Sequence, residues 1–194
     1  MAHYFENDKG LKSEEKKINI YIKDNTFTFY TDNGVFSKKG LDFGTRTLLE
    51  NLPDNVKGDV LDIGCGYGPI GIYLKKTYDV DVDMIDVNLR SLKLAKKNAE
   101  LNKVEVNTFE SDAYQNVTKK YDYIITNPPI RVGKEKLYQI LFGAKEHLKE
   151  NGQLWFVINK DQGAKSAIND MSKEYKVEII EKNKGFFIIC AYIN

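Results

Sequence analysis

The residues whose spacing carries the most chemistry are Asn127-Pro128-Pro129-Ile130, at the end of an apolar run that begins at Tyr121. Two consecutive prolines fix the backbone and remove two amide donors. The residue before a proline is pushed to extended geometry, so Asn127 is held open. The Pro128 carbonyl and the Asn127 side-chain oxygen can then face one point as paired acceptors. Such a pair suits a planar NH2 group: it holds both hydrogens and aims the nitrogen lone pair at an electrophilic carbon. The plainer reading is a rigid loop that terminates a strand.

A second group lies upstream, in Asp62-Ile63-Gly64-Cys65-Gly66-Tyr67-Gly68-Pro69-Ile70-Gly71. Alternating glycines let backbone approach a ligand closely, and amides at a following helix N-terminus favour an anionic group. Two cofactors compete for this loop. Gly66-x-Gly68-x-x-Gly71 satisfies the dinucleotide pattern, with Asp86 where a ribose-binding acid belongs. S-adenosylmethionine also needs a ribose-binding acid after the second strand, and Asp62 could serve its cationic amino group. Asp112, in Glu110-Ser111-Asp112-Ala113, could accept from an adenine amino group, although a lone acid after a strand is more often a helix cap or a solvated turn. The Asn-Pro-Pro acceptors favour the methyl donor, because a dinucleotide oxidoreductase has no need of them.

These residues must be positioned by the elements around them. Ile18, Ile20 and Ile22, then Phe27 and Phe29, alternate about Asp24-Asn25 and predict a β-hairpin. From Asp59 the pattern alternates strand and helix. Strands are expected at Asp59–Ile63, Val80–Met84, Val104–Phe109, Tyr121–Asn127 and Leu154–Ile158. Helices are expected at Pro69–Thr77, after Asn88, after Gly133 and near Ala164–Lys173. Val177–Ile180 and Phe186–Ile193 flank Asn183-Lys184-Gly185 as an antiparallel hairpin. The expectation is an α/β, Rossmann-like, seven-stranded sheet, mostly parallel with an antiparallel last strand and helices on both faces. Ligands of such sheets sit outside the carboxyl ends of the strands, where the residues above fall. The chain is expected to divide into a β extension over 1–40 and one domain over 41–194.

Composition excludes several classes. The 194 residues carry a net charge of +1, so no long nucleic-acid backbone is gripped by net charge alone, although a local basic face is open. The longest apolar run, Phe186–Ile193, is too short to span a bilayer, and the N-terminus has no basic-then-apolar signal pattern. Two cysteines make no disulfide framework, and two distant histidines make no zinc site, so no metal is expected. The expected compartment is the cytoplasm, with no membrane partner.

Asp62-x-Gly64-x-Gly66, Asp86, Asp112-Ala113 and Asn127-Pro128-Pro129 resemble the ordered motifs of class I S-adenosylmethionine-dependent methyltransferases. Gly40-Leu41-Asp42-Phe43-Gly44-Thr45, the run from Asn127 to Lys134 and Lys160-Asp161-Gln162-Gly163-Ala164 resemble the small-subunit rRNA guanine-N2 methyltransferases and their single-domain relatives. The resemblance implies that Gly64, Cys65 and Gly66 lie against the methionine part of the cofactor, with Asp62 near its amino group. It puts Asp86 on the ribose, Val87 beside the adenine, and Asp112 and Ala113 on the adenine edge. Thr45, at the start of a helix, either helps hold the methionine carboxylate or is an N-cap. Asn127 would sit between cofactor and target amine, with Pro128, Pro129 and Ile130 completing the catalytic loop. Arg131 and Lys134 would meet RNA phosphates, and Lys38, Lys39 and Lys160 could extend that basic rim.

Two departures from the pattern stand out. Ile130 replaces an aromatic that relatives often carry, and only about 40 residues precede the core where longer relatives carry a second domain. The implied partner is small-subunit rRNA. Adenine N6 and protein glutamine amides are alternative targets of the same motif. An NAD-dependent oxidoreductase and a non-catalytic RNA-binding module are the readings from other classes.

Overall fold

The computed structural model describes residues 12–129 and 133–193. The chain opens with an antiparallel pair, β1 (Lys16–Ile22) and β2 (Asn25–Thr31), followed by α1 (Phe43–Glu50). Then come β3 (Gly58–Ile63), α2 (Pro69–Thr77), β4 (Val80–Asp86), α3 (Leu89–Leu101), β5 (Asn107–Glu110) and β6 (Tyr121–Thr126). The second half holds α4 (Lys134–His147), β7 (Leu148–Asn159), a 3-10 turn (Lys160–Gln162), α5 (Ala164–Met171), β8 (Tyr175–Asn183) and β9 (Phe186–Ile193).

Strands β3 to β9 form one seven-stranded sheet in the order β5-β4-β3-β6-β7-β9-β8. The final strand β9 runs antiparallel to both neighbours, and the other pairings are parallel. The chain reverses direction of travel between β3 and β6, so the top of that junction is where a ligand site belongs.

Period-two alternation sends adjacent side chains to opposite cores. Val60, Ile125, Trp155 and Val157 join the face covered by α1, α2 and α3. Leu61, Ile124, Leu154, Phe156 and Ile158 join the face covered by α4 and α5. The β1–β2 hairpin packs Ile20, Ile22, Phe27 and Phe29 into the first of these cores.

Asn98 of α3 and Asn102, which caps the C-terminus of that helix, fasten the free edge of that hairpin. The Asn98 side chain accepts from Tyr30 N (2.7 Å) and donates to Tyr30 O (2.9 Å) and Tyr67 O (2.9 Å). Asn102, one turn on, accepts from Thr28 N (3.3 Å) and donates to Thr28 O (2.8 Å). Side-chain amides thus stand in for a partner strand, and Asn98 links the hairpin to the loop after β3.

The expected elements are found with shifted ends. β7 begins at Leu148, six residues before the expected Leu154, because α4 runs straight into it and its register on β6 shifts between the Tyr121–Leu148 and Tyr123–Gln153 pairs. Asn151 at φ 64° turns the strand there, and Gly152 sits so close that a Cβ would lie 2.9 Å from the Tyr121 carbonyl. β5 starts at Asn107 rather than Val104.

Candidate active site

Each parallel strand ends at the same edge, and the loops after β3, β4, β5 and β6 surround one cleft. Its walls include Thr45, Gly64, Cys65, Gly66, Asp86, Val87, Asp112, Ala113, Asn127, Pro128 and Pro129. Residues spread over 84 sequence positions are therefore brought together. Phe36, Tyr67, Ser91, Ser111, Lys136 and Ile140 complete the lining.

The glycine loop is shaped by backbone bonds. Gly64 N and Cys65 N both donate to Ile85 O at 2.9 Å, which bends the chain across the end of β4. Gly64 (φ 69°) and Gly66 (φ 57°) are left-handed, a region that side chains with a Cβ rarely enter. A Cβ at Gly66 would meet nothing within 4 Å, so the backbone there faces open space. A Cβ at Gly64 would lie 3.8 Å from Pro129 Cδ, which places the two loops opposite each other. Thr126 Oγ1 donates to Ile63 O (2.8 Å) and pins the strand ends beneath them.

Three aspartates organise this rim, each by accepting backbone amides. Asp86 accepts from Gly66 N (2.9 Å) and Asn88 N (2.8 Å), so one carboxylate ties the glycine loop to the start of α3. Burial raises its pKa. Asp42 caps α1 by accepting from Thr45 N (3.0 Å). Asp62 is fully buried beneath the loop and accepts from Gly71 N (2.9 Å), with its second oxygen unpartnered. Burial pushes its pKa up to about 8. Asp62 is not among the residues lining the cleft. None of these three carboxylates is ion-paired to a lysine or arginine among the described residues.

The start of α2 departs from the sequence expectation of a site for anions. Pro69 has no N–H, the Gly71 amide is taken by Asp62, and the Ile72 amide by Gly68 O. A pyrophosphate would find almost no free donors there, so the dinucleotide reading loses its main support. Cys65 lines the cleft, but burial raises its thiol pKa, so it is no thiolate nucleophile.

Asn127 is oriented by side chains from α1. Its Nδ2 donates to Thr45 Oγ1 (2.8 Å) and Asp42 Oδ2 (3.1 Å). With both amide hydrogens committed to oxygen acceptors, the flip of the group is fixed, and Oδ1 is left as the acceptor. Thr45 is therefore not the N-cap that one sequence reading allowed: Asp42 is, and Thr45 holds Asn127. Asp42 was not singled out from sequence, although Asp followed by Thr three residues on at a helix start is a legible capping signal.

The remaining candidates divide. Asp112 is exposed and its Oδ1 meets Lys136 Nζ at 2.5 Å. Ser111 Oγ donates to Ala113 O (2.7 Å) and holds that turn, with Ala113 at φ 48°. Lys134 does not line the cleft; its ammonium lies 4.7 Å over the Tyr138 ring. Lys136, two residues on, takes the place on the wall, and nothing in the sequence separated the two. Lys38 turns back to Asn33 Oδ1 (2.8 Å). Ile130 and Arg131 lie outside the described residues. Among the described residues no group of acids, histidines and cysteines is arranged to hold a metal ion, and no helix is long and apolar enough to cross a membrane.

A seven-stranded sheet of this order, with an antiparallel last strand and a glycine loop facing an Asn-Pro-Pro tip, defines a Rossmann-like methyltransferase. Within that class the chain belongs to the methyltransferase small domain family, which it matches over residues 26–190. It is 42% identical over 195 residues to the uncharacterized protein YbxB of Bacillus subtilis (strain 168), covering 97% of each chain. It is 40% identical over 132 residues to the ribosomal RNA small subunit methyltransferase C of Psychromonas ingrahamii, covering 66% of this chain but 38% of that one. The chain thus spans about two fifths of the length of such rRNA methyltransferases. Among solved structures it resembles the T. thermophilus 16S rRNA N2 G1207 methyltransferase in complex with AdoMet and guanosine, with a TM-score of 0.81 and 24% identity. That match covers 95% of this chain and 52% of the other.

Proposed function

We propose that this protein transfers a methyl group from S-adenosyl-L-methionine to an exocyclic amine, namely guanine N2 of small-subunit rRNA. The observation that carries the reading is the lock on Asn127: Asp42 and Thr45 take both amide hydrogens and leave Oδ1 to accept from a planar NH2 group. The relatives named as rRNA methyltransferases support the RNA target, and the structural neighbour holding AdoMet and guanosine supports both ligands.

The cleft fits this cofactor on its own terms. Gly64, Cys65 and Gly66 would lie against the methionine part, Asp86 and Val87 against the ribose and adenine, and Asp112 and Ala113 against the adenine edge. Asp86, left without a cationic partner among the described residues, suits a ligand that carries positive charge, and the occupied amides of α2 disfavour one that carries phosphates. When bound, the cofactor supplies an electrophilic sulfonium methyl.

The protein's part is positioning and polarisation. A guanine amine is a weak nucleophile because its lone pair is delocalised into the ring. Asn127 Oδ1 and the Pro128 carbonyl would accept its two hydrogens and favour the pyramidal nitrogen, an effect realised most fully in the transition state. The double proline keeps these acceptors from collapsing onto backbone donors. The methylated amine is acidic enough to lose its proton to water, so no side chain need act as a base. Reaching N2 in folded RNA requires the base to leave its stack.

The test is incubation with methyl-labelled cofactor and, in parallel, small-subunit rRNA, intact small subunits, DNA and release-factor protein. Nuclease digestion and mass analysis should place the label on guanine N2. Label on adenine N6 or on a glutamine amide would replace the target while keeping the chemistry. Failure to bind the cofactor at all would defeat the proposal.

A further inference from the structure

The half of the sheet beyond Asn127 rises above the rest. Thr126 of β6 pairs with Phe156 of β7, and β7 continues to Asn159, opposite Phe186 of β9. Three more residues carry the β7–β9–β8 edge about 10 Å past the tip of β6 at the usual strand rise. The β8–β9 turn extends it further. This ridge stands on the side of Asn127 away from β3, β4 and β5, whose loops form the cofactor cleft. A target amine presented to Asn127 must therefore bring its flanking chain near it.

The ridge carries three lysines, with Asp161 and Glu181 beside them. Lys160 follows β7 as the first residue of the 3-10 turn, Lys182 lies near the end of β8 and Lys184 in the β8–β9 turn. All three are exposed, and none is ion-paired among the described residues. Lys160 lies along Gly185, 3.4 Å from where a Cβ would stand, and donates its backbone N–H to Gly185 O (2.7 Å). Lys184 Nζ lies 4.9 Å over the ring of Phe43, and Lys182 Nζ 5.2 Å over that of Phe187. Phe43 packs on Phe186 with centroids 5.7 Å apart. Phe43 also directly follows Asp42, the residue that holds Asn127. Lys184, the Phe43–Phe186 pair and the Asp42 that holds Asn127 thus lie on one face, with Lys160 beside them along Gly185, whereas Lys182 shares the opposite face of the sheet with Phe187.

We propose that Lys160 and Lys184 on this ridge, backed by Phe43 and Phe186, receive the phosphate backbone of the RNA that delivers the target base. The inference rests on the functional reading above and names the surface that reading leaves open. Lysines are point-charge phosphate partners with long reach. A chain with a net charge of +1 needs such a local concentration, because its overall charge steers nothing.

The experiment compares the intact protein with K160E/K184E and with the milder K160Q/K184Q. Binding to naked small-subunit rRNA and to intact small subunits is measured across a salt series, alongside methyl-transfer KM. Calorimetry with S-adenosylhomocysteine reports whether each variant keeps its cofactor cleft. The expected result is a KM at least tenfold higher for the glutamate variant. The slope of log affinity against log salt should be shallower by roughly 1.5, as for two lost phosphate contacts. Unaltered KM and salt slope, with the parent protein active, would overturn the ridge alone. A parent protein that neither binds nor methylates either RNA would bring down the functional reading and this surface with it.

Discussion

The two ends of the parallel strands use the same residue types in opposite ways. At the base, near the starts of β3, β6 and β7, acids meet bases. Lys149 bridges Asp59 (2.6 Å) and Asp122 (2.8 Å), and Lys119 bridges Asp59 (3.3 Å) and Asp83 (3.2 Å). Tyr121 donates to Asp83 at 2.6 Å. At the tip, Asp42, Asp62 and Asp86 bond backbone amides instead, and Lys160 and Lys184 are ion-paired to no acid among the described residues. Acids at the base are neutralised by lysines, whereas at the tip only Asp112 of the cleft wall is so paired, to Lys136, and Asp42, Asp62 and Asp86 bond amides without a cationic partner among the described residues. The difference separates residues that hold the protein together from residues that do its work, although both sets are lysines and aspartates.

That contrast can be broken most sharply at Asn127. Asn127→Ala should lower kcat by about 10²–10³, the usual loss for one oriented polar group at the reacting centre, while cofactor affinity by calorimetry stays within a few fold. Near-normal turnover would remove Asn127 from the chemistry. Asp86→Ala comes next. Loss of a charged acceptor costs about 1.5–3 kcal/mol, so cofactor affinity should fall roughly 10- to 150-fold. Unchanged affinity would take Asp86 off the ribose.

Asp62 tests the buried side of the tip. Its folded pKa of about 8 lies far above the unfolded value near 3.9. The site's contribution to stability is therefore complete below about pH 4 and is lost as pH rises towards 8. Asp62→Asn cannot ionise, so its melting temperature relative to the parent should climb between pH 5 and pH 9. A flat difference across that range would mean the carboxyl is ionised in place. The smallest effect is expected at the base. Lys149→Met should change stability by less than about 1 kcal/mol in denaturant titration and leave methyl transfer as it was, because both partners of Lys149 remain partly solvated.

Much of this was legible in the sequence, for reasons that also explain what was not. The strand–helix alternation from Asp59 and the glycine loop are local patterns, and local patterns set which strand ends share an edge. The insertion of β9 between β7 and β8 is a long-range pairing that no local signal encodes. The cleft gathers the residues picked from motifs, yet Asp62 points beneath the loop, because the amide of Gly71 stands closer to it than open space does. Lys134 and Lys136 differ only in which side of α4 they leave from, and a helix whose first turn follows a loop gives no reference for that. Asp42 acts across 85 positions on Asn127, a separation at which sequence spacing carries no information.

Asn98 gives the N-terminal hairpin a meaning that its position at the margin of the chain conceals. This side chain is wholly buried, and its oxygen and nitrogen are satisfied by Tyr30 and Tyr67 together. Stripping away β1 and β2 would strand that amide behind the glycine loop, at about 1–3 kcal/mol for each orphaned group. The hairpin is thus the back plate of the cofactor cradle rather than an ornament hung on it, and a trimmed enzyme would loosen first at the place where it must be stiffest.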